Sequence, residues 1–197
     1  MDVILSTEGV DLQECDLLVI GFFQDERPLK GSSGWIDWRL NGMLSHFLVE
    51  KRLTGEWMET TLIPSQGRVL PKMILLVGLG RVKEYSYLRV RELSPFLLKT
   101  LRNLDYLNVC LSLPEDEDHN VECGKLVEVL LEGIADNMDL APLSLEEWIK
   151  TVRLYFTEEE KRLEEILLGV QTAKSILEER LEIRIYAPSE KEFGERS

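Results

Sequence analysis

Two hydrophobic rhythms alternate along this chain, and that alternation restricts its fold more than any other feature. Short apolar runs rich in Val, Ile, Leu and Phe stand at Val3 to Leu5, Leu17 to Phe23, Thr60 to Ile63, Met73 to Val77, Leu107 to Leu111, Val152 to Phe156 and Ile183 to Tyr186. Runs of this length and composition read as strands, and the nearly continuous ones suit central strands covered on both faces. Between them apolar residues recur at helical spacing. Ile36, Leu40, Met43, Leu44, Phe47 and Leu48 form one such stretch; Val121, Leu126, Val127, Leu130, Leu131 and Ile134 form another. The third is Leu163, Ile166, Leu167, Val170, Ala173 and Leu177, opened by Thr157 with Glu160 three residues on, the spacing of a capping box. Ser144 with Glu147 repeats that signature before a shorter helix. Ser94 before Pro95 is a cap followed by a good first helical residue, so Tyr87 to Leu104 reads as one helix with a break or as two pieces.

Strands and helices in this order imply an α/β domain of three layers, α/β/α, around a mixed or mostly parallel sheet. No Gly/Ser-rich linker or second core interrupts the pattern. Residues 1–187 therefore read as a single domain, and residues 188–197, with their Ser, Lys, Glu, Gly and Arg, as a flexible tail. A chain of 197 residues buries roughly 70% of its unfolded surface, enough for a sizeable core.

Charge narrows the range of partners. With 23 Lys+Arg against 36 Asp+Glu the net charge is −13, and a polyanion is repelled over most of such a surface. The densest basic group, Arg81, Lys83, Arg89 and Arg91, is diluted by Glu84 and Glu92, so no nucleic-acid partner is expected. Apolar runs such as Met73 to Val77 are far below the ~20 residues of a bilayer span, and the start has no basic n-region. The expectation is a soluble cytoplasmic protein with no membrane partner. Cys15, Cys110 and Cys123 are odd in number and without C-x-x-C spacing, so they read as buried thiols rather than a disulfide framework or a zinc cluster.

Three loops could carry chemistry. Pro28-Leu-Lys-Gly-Ser-Ser-Gly-Trp-Ile-Asp37 runs from a strand straight into a helix. Gly31, Ser32, Ser33 and Gly34 there can point backbone amides at an anion, helped by the helix dipole. The alternative is a tight connection in which Gly31 and Gly34 supply positive φ and Asp37 helps the helix begin. Gly78-Leu-Gly-Arg81 ends the strand from Met73; it lacks the third glycine and the immediate helix of a dinucleotide fingerprint, so Gly78 and Gly80 read first as strand termination with close backbone approach. Glu115-Asp-Glu-Asp118, followed by His119, reads as a solvated acidic loop rather than a cation site. His46 and His119 have no local triad context. The residues name no catalytic group, no metal ligand and no cofactor.

The ordered pieces carry a resemblance. Cys15-Asp-Leu-Leu-Val-Ile-Gly-Phe-Phe23, then Gly34-Trp-Ile-Asp37 leading into Leu40-Asn-Gly-Met-Leu44, Thr54-Gly-Glu56, Thr61-Leu-Ile63 and Ile74-Leu-Leu-Val-Gly-Leu-Gly80 resemble the N-terminal domain of the leucyl aminopeptidase (cytosol aminopeptidase) family of metallopeptidases. The match is clearest from Asp16 to Arg81. It implies a macro-domain-like fold with a mixed sheet between helical layers. It also implies that two metal ions, a catalytic Lys and an Arg belong to a separate C-terminal domain, around an Asn-Thr-Asp-Ala-Glu-Gly-Arg string. That string does not occur here, and the chain ends where that domain is expected to begin, so no catalytic or metal-binding residue is carried over. The family's hexamers are held largely by catalytic domains, which leaves self-association or a complex with another protein open.

Two functions follow as expectations. The first is a stand-alone, non-catalytic domain acting through protein contacts, regulating or associating with a peptidase. The second is a macro-domain-type binder of ADP-ribose or a related nucleotide. For this, Leu29-Lys-Gly-Ser-Ser-Gly-Trp-Ile-Asp37 resembles the family's Gly-rich loop and helix start. The second phosphate-contacting loop of macro domains corresponds in order to Pro114-Glu-Asp-Glu-Asp118, whose charges would repel a diphosphate. The protein-contact reading therefore ranks first.

Overall fold

The computed structural model describes residues 1–114, 121–136, 138 and 142–188. The acidic run from Glu115 to Asp118, His119 and residues 189–197 of the expected tail lie outside the described residues.

All seven apolar runs are strands: β1 (Asp2–Ser6), β2 (Leu17–Phe22), β3 (Thr60–Pro64), β4 (Met73–Gly78), β5 (Asn108–Ser112), β6 (Arg153–Thr157) and β7 (Arg184–Tyr186). They form one sheet in the order β3-β4-β2-β5-β6-β1-β7. Every neighbouring pair is parallel except β3 with β4, which makes the sheet mixed. The antiparallel strand sits at an edge, where Thr60, Leu62 and Pro64 are exposed.

Alternate residues of the central strands feed two cores, as the two-residue period of a strand requires. Leu17 and Val19 of β2, Leu75 and Val77 of β4, Val109 and Leu111 of β5 and Leu154 and Phe156 of β6 point into the larger core. Helices α3 (Tyr87–Leu104), α4 (Cys123–Ala135), α5 (Leu143–Thr151) and α6 (Glu160–Leu177) close this face through residues such as Leu97, Leu130, Ile149 and Val170. Leu18, Ile20, Phe22, Ile74, Leu76 and Cys110 point the other way, under α1 (Gly31–Arg39) and α2 (Met43–Val49). The three-layer α/β/α arrangement is present. Among the described residues no helix is long and apolar enough to cross a membrane.

The helix signals needed four corrections. The stretch from Ile36 to Leu48 is two helices, turned at Asn41 (φ 59°) and Gly42 (φ 76°). Tyr87 to Leu104 is one unbroken helix capped by Ser86, whose hydroxyl accepts from the Arg89 amide; Ser94 is buried and donates to the Val90 carbonyl. Pro95 cannot bond the Arg91 carbonyl, and that carbonyl abuts Gly133 of α4, where an added Cβ would stand 2.4 Å away. Thr157 caps nothing: it ends β6 opposite Ser6, and α6 starts after Glu159 without a side-chain cap. Ser144 lies inside α5, which begins after Pro142, and its hydroxyl accepts from Arg102 at 2.7 Å.

An ion-pair fork fixes α3 to α4. Arg91 donates to both carboxylate oxygens of Asp136, at 2.7 and 2.9 Å, and to Glu132 at 2.8 Å. The bidentate bond holds the Asp136 carboxyl below the usual aspartate range.

The corner between α1 and α2 depends on Asp37. Its buried carboxylate accepts from the amides of Leu44 (2.8 Å) and Ser45 (3.1 Å) and from the Ser45 hydroxyl. The first amides of a helix lack partners within it, and Gly42 has no side chain to supply one. Asp37 reaches back across the corner to do so. Asp37→Ala should cost about 2 kcal/mol, since it removes a helix cap and strands buried donors. Urea unfolding checks this; Asp37→Asn should lose less.

Candidate functional site

The chain leaves β2 toward β4, through α1, α2 and β3, and leaves β5 toward β6, through α4 and α5. Between β2 and β5 the direction of the connections reverses, and the carboxyl ends of strands at such a point form a crevice suited to ligands. Helix α1 begins there. Ser112, the last residue of β5, donates to the Ser32 hydroxyl at 2.7 Å and ties the start of α1 across the crevice.

The loop entering α1 is fixed from within. Arg27 donates to the Phe23 carbonyl at 2.8 Å, and burial lowers the pKa of its guanidinium. Ser33 is buried and its hydroxyl donates to the Lys30 carbonyl at 2.8 Å. The Gly34 amide donates to the same carbonyl at 3.0 Å, the first bond of the helix. The amides of Gly31, Ser32 and Ser33 precede that bond and have no acceptor within α1. Gly31 has φ +51°, as the tight-connection reading expects. Gly34 does not; it is required because a Cβ would stand 2.4 Å from the Leu29 carbonyl oxygen. Asp37 also departs from that reading, because it lies in the last turn of α1 and caps α2 instead of helping α1 to begin.

Gly78 and Gly80 sit at the neighbouring strand end, but their amides are already used. Gly78 donates to Glu59 and Gly80 to Gly55, while the Gly80 carbonyl accepts from Gln24 at 2.7 Å. A Cβ on Gly78 would lie 2.0 Å from the Glu56 carbonyl oxygen. The 54–59 loop is thus clamped against β4, with Glu59 accepting from the amides of Thr54 and Gly55. The structure gathers Gly31, Ser32, Ser33, Gly34 and Asp37 into one element. It places Gly78 and Gly80 beside them as a support.

Two features of this region carry no sequence motif. Ser112 is one, since nothing in a strand's last residue announces a partner eighty positions away. The other is a stacked pair of tryptophans on α1: the Trp35 and Trp38 rings lie 5.0 Å apart at 27°, and the residues are 46% and 64% exposed. Ser33, Ile36, Asp37 and Leu40 form the inward face at helical spacing, so the outward position of the tryptophans was readable from the helical wheel. Trp38 borders a surface groove of about 420 Å³ with Pro28, Leu29, Gly34, Asn41 and Ser45.

Elsewhere the geometry offers little chemistry. A cleft of about 960 Å³ separates the exposed edges of α4 and α6, but Lys125 pairs with Glu128 at 2.6 Å and the Cys123 thiol lies 3.0 Å from Glu165. Among the described residues no three His, Cys, Asp or Glu stand together to hold a metal ion. His46 is exposed on α2 and faces Glu50 at 3.1 Å.

Comparison with known proteins fits this architecture. Residues 19–137 match the N-terminal domain of the cytosol aminopeptidase family, extending well past the stretch from Asp16 to Arg81 in which the sequence resemblance is clearest. A probable cytosol aminopeptidase of a Sulfurihydrogenibium species is 22% identical over 134 residues, covering 68% of this chain and 26% of that protein. One of Alkaliphilus oremlandii is 23% identical over 170 residues, covering 82% of this chain and 33% of its own length. The chain thus spans between a quarter and a third of these relatives. A tomato leucine aminopeptidase mutant superposes with a TM-score of 0.60 at 16% identity, over 90% of this chain and 37% of that one. A Trypanosoma brucei macrodomain in complex with ADP-ribose superposes with a TM-score of 0.62 at 11% identity, over 85% of this chain and 68% of that one. At these identities the superpositions establish the fold, and the family match over more than half the chain establishes membership: this chain belongs to the cytosol aminopeptidase family, as its N-terminal domain.

Proposed function

We propose that these 197 residues work by contact, as a non-catalytic module that holds a protein partner or a second copy of itself and so regulates or accompanies a peptidase. The observation that carries this is the stacked, exposed Trp35–Trp38 pair beside the groove at α1. Tryptophan combines a large apolar body with a polar edge and dominates the energetics of interfaces. The polar groups around it support the same reading, because Asp37, Ser33, Gly78 and Gly80 already serve internal bonds. Affinity capture from native extract, together with sedimentation of the chain alone, tests it. Replacing both Trp35 and Trp38 by Ser should weaken the captured or self-associated complex by about tenfold or more, with the helical signal unchanged. Equal capture by both proteins contradicts the reading.

A second reading rests on a different observation: α1, whose first amides at Gly31, Ser32 and Ser33 have no acceptor within the helix, begins beside the carboxyl end of β5, where Ser112 bonds Ser32. Helix starts at such positions favour phosphate, and ADP-ribose or a related nucleotide is the ligand this reading would take. Calorimetric titration with ADP-ribose separates the two. Micromolar binding that disappears in Ser32→Asp, where a carboxylate replaces the hydroxyl facing the anion, supports the nucleotide reading. The contact reading expects no heat of binding from either protein.

A further inference from the structure

We propose that β3 is a self-pairing edge: a second copy of this chain docks its own β3 antiparallel to it, centred on Leu62, and the two sheets become one. β3 ends the sheet, and among the described residues no strand lies beyond it. Its free hydrogen-bonding groups follow from the register. Gly78 donates to Glu59 and Ser65 to Lys72 at the two ends of the β3–β4 ladder. Bonded residues alternate in an antiparallel ladder, so Thr61 and Ile63 bond β4. Thr60, Leu62 and Pro64 therefore turn their backbone groups to the open side, and all three are exposed.

Edge strands are normally guarded against such pairing by charge, by brevity or by proline. β7, at the other end of the sheet, has two of these guards: it is three residues long and carries Arg184, whose guanidinium donates to Asp2 at 2.7 Å. β3 has five residues, Thr-Thr-Leu-Ile-Pro, with no charge among them in a chain of net charge −13. The Glu59 carboxylate just before the strand is occupied by the amides of Thr54 and Gly55. Pro64 alone removes a donor from the open side.

That proline fits a second copy as the occupant. In a two-fold pairing about Leu62, each Leu62 amide donates to the Leu62 carbonyl of the other copy, and each Thr60 amide to the Pro64 carbonyl. Pro64 then stands opposite Thr60 on the last rung, where its missing N–H removes one terminal bond per copy and stops the ladder. The two Leu62 side chains, 37% exposed in the single chain, meet on one face of the joined sheet and cover each other. A contact of this size belongs to the weak class of interfaces, so the dimer forms as concentration rises. The surface shares no residue with the tryptophan groove at α1 and does not rest on the contact reading.

Sedimentation of the whole chain over a concentration series, with residue-resolved amide hydrogen exchange at its two ends, tests this. The expected result is a rise from the mass of one chain to twice that mass. Exchange at the Thr60 and Leu62 amides should slow by about tenfold or more on association, while Thr61 and Ile63 stay protected throughout. Leu62→Pro removes only an outward amide, and Leu62→Lys sets like charges across the axis. Each should weaken the dimer by about tenfold or more, with the melting temperature of the dilute chain kept. A single-chain mass at every concentration overturns the proposal and leaves the capture experiment untouched. A dimer kept in both Leu62 variants but lost when Trp35 and Trp38 are replaced by Ser overturns it in favour of the contact reading.

Discussion

Strand β2 leaves no side chain to solvent: Leu17 and Val19 enter one core, and Leu18, Ile20 and Phe22 the other. Each fully buried side chain of this kind contributes about 1.5–3 kcal/mol relative to exposure, so both faces of the strand must be covered. Among the described helices, coverage on one side comes from α3 to α6, and on the other from α1 and α2, with loop residues such as Val10, Leu53 and Val69 beside them. The second cover is short, and the chain must turn back on itself to make it. The corner at Asn41 and Gly42, the cap from Asp37 and the close approach of Gly34 to the Leu29 carbonyl all follow from fitting two short helices over this face of the sheet. The helix start that faces the crevice is placed by this same fit.

That cover also explains why tryptophans are outside. With Ser33, Ile36, Asp37 and Leu40 facing inward, the remaining side of α1 cannot be buried by its own fold. An isolated exposed apolar residue needs no explanation, but two stacked indoles next to a groove form a patch. The same helix thus offers a polar end, whose first amides have no acceptor within it, and an apolar side with aromatic rings. Which of the two is used divides the contact reading from the nucleotide reading, and they are separated by about one turn of helix.

The strands were legible in the sequence because burial on two faces writes an apolar run with no interruption, as in Leu17 to Phe23 and Met73 to Val77. The larger helices were legible from their periodicity. Caps were not, because a cap is set by where the preceding element stops. Thr157 has the spacing of a capping box, yet the ladder with β1 extends through it and takes it into β6. The run from Ile36 to Leu48 hid its corner because apolar residues continue across Asn41 and Gly42. The candidate site was half legible. Gly31 to Asp37 stood out by composition, but the role of Asp37 depends on amides seven and eight residues ahead, and Ser112 arrives only through the parallel pairing of β2 with β5.

The central claim is that this span holds something and does not turn substrate over. Incubating the purified chain with manganese or zinc and a chromogenic leucyl amide tests that claim most directly. The account predicts product release indistinguishable from the metal-only blank at every metal concentration. Release that scales with protein concentration and is removed by a chelator would contradict it.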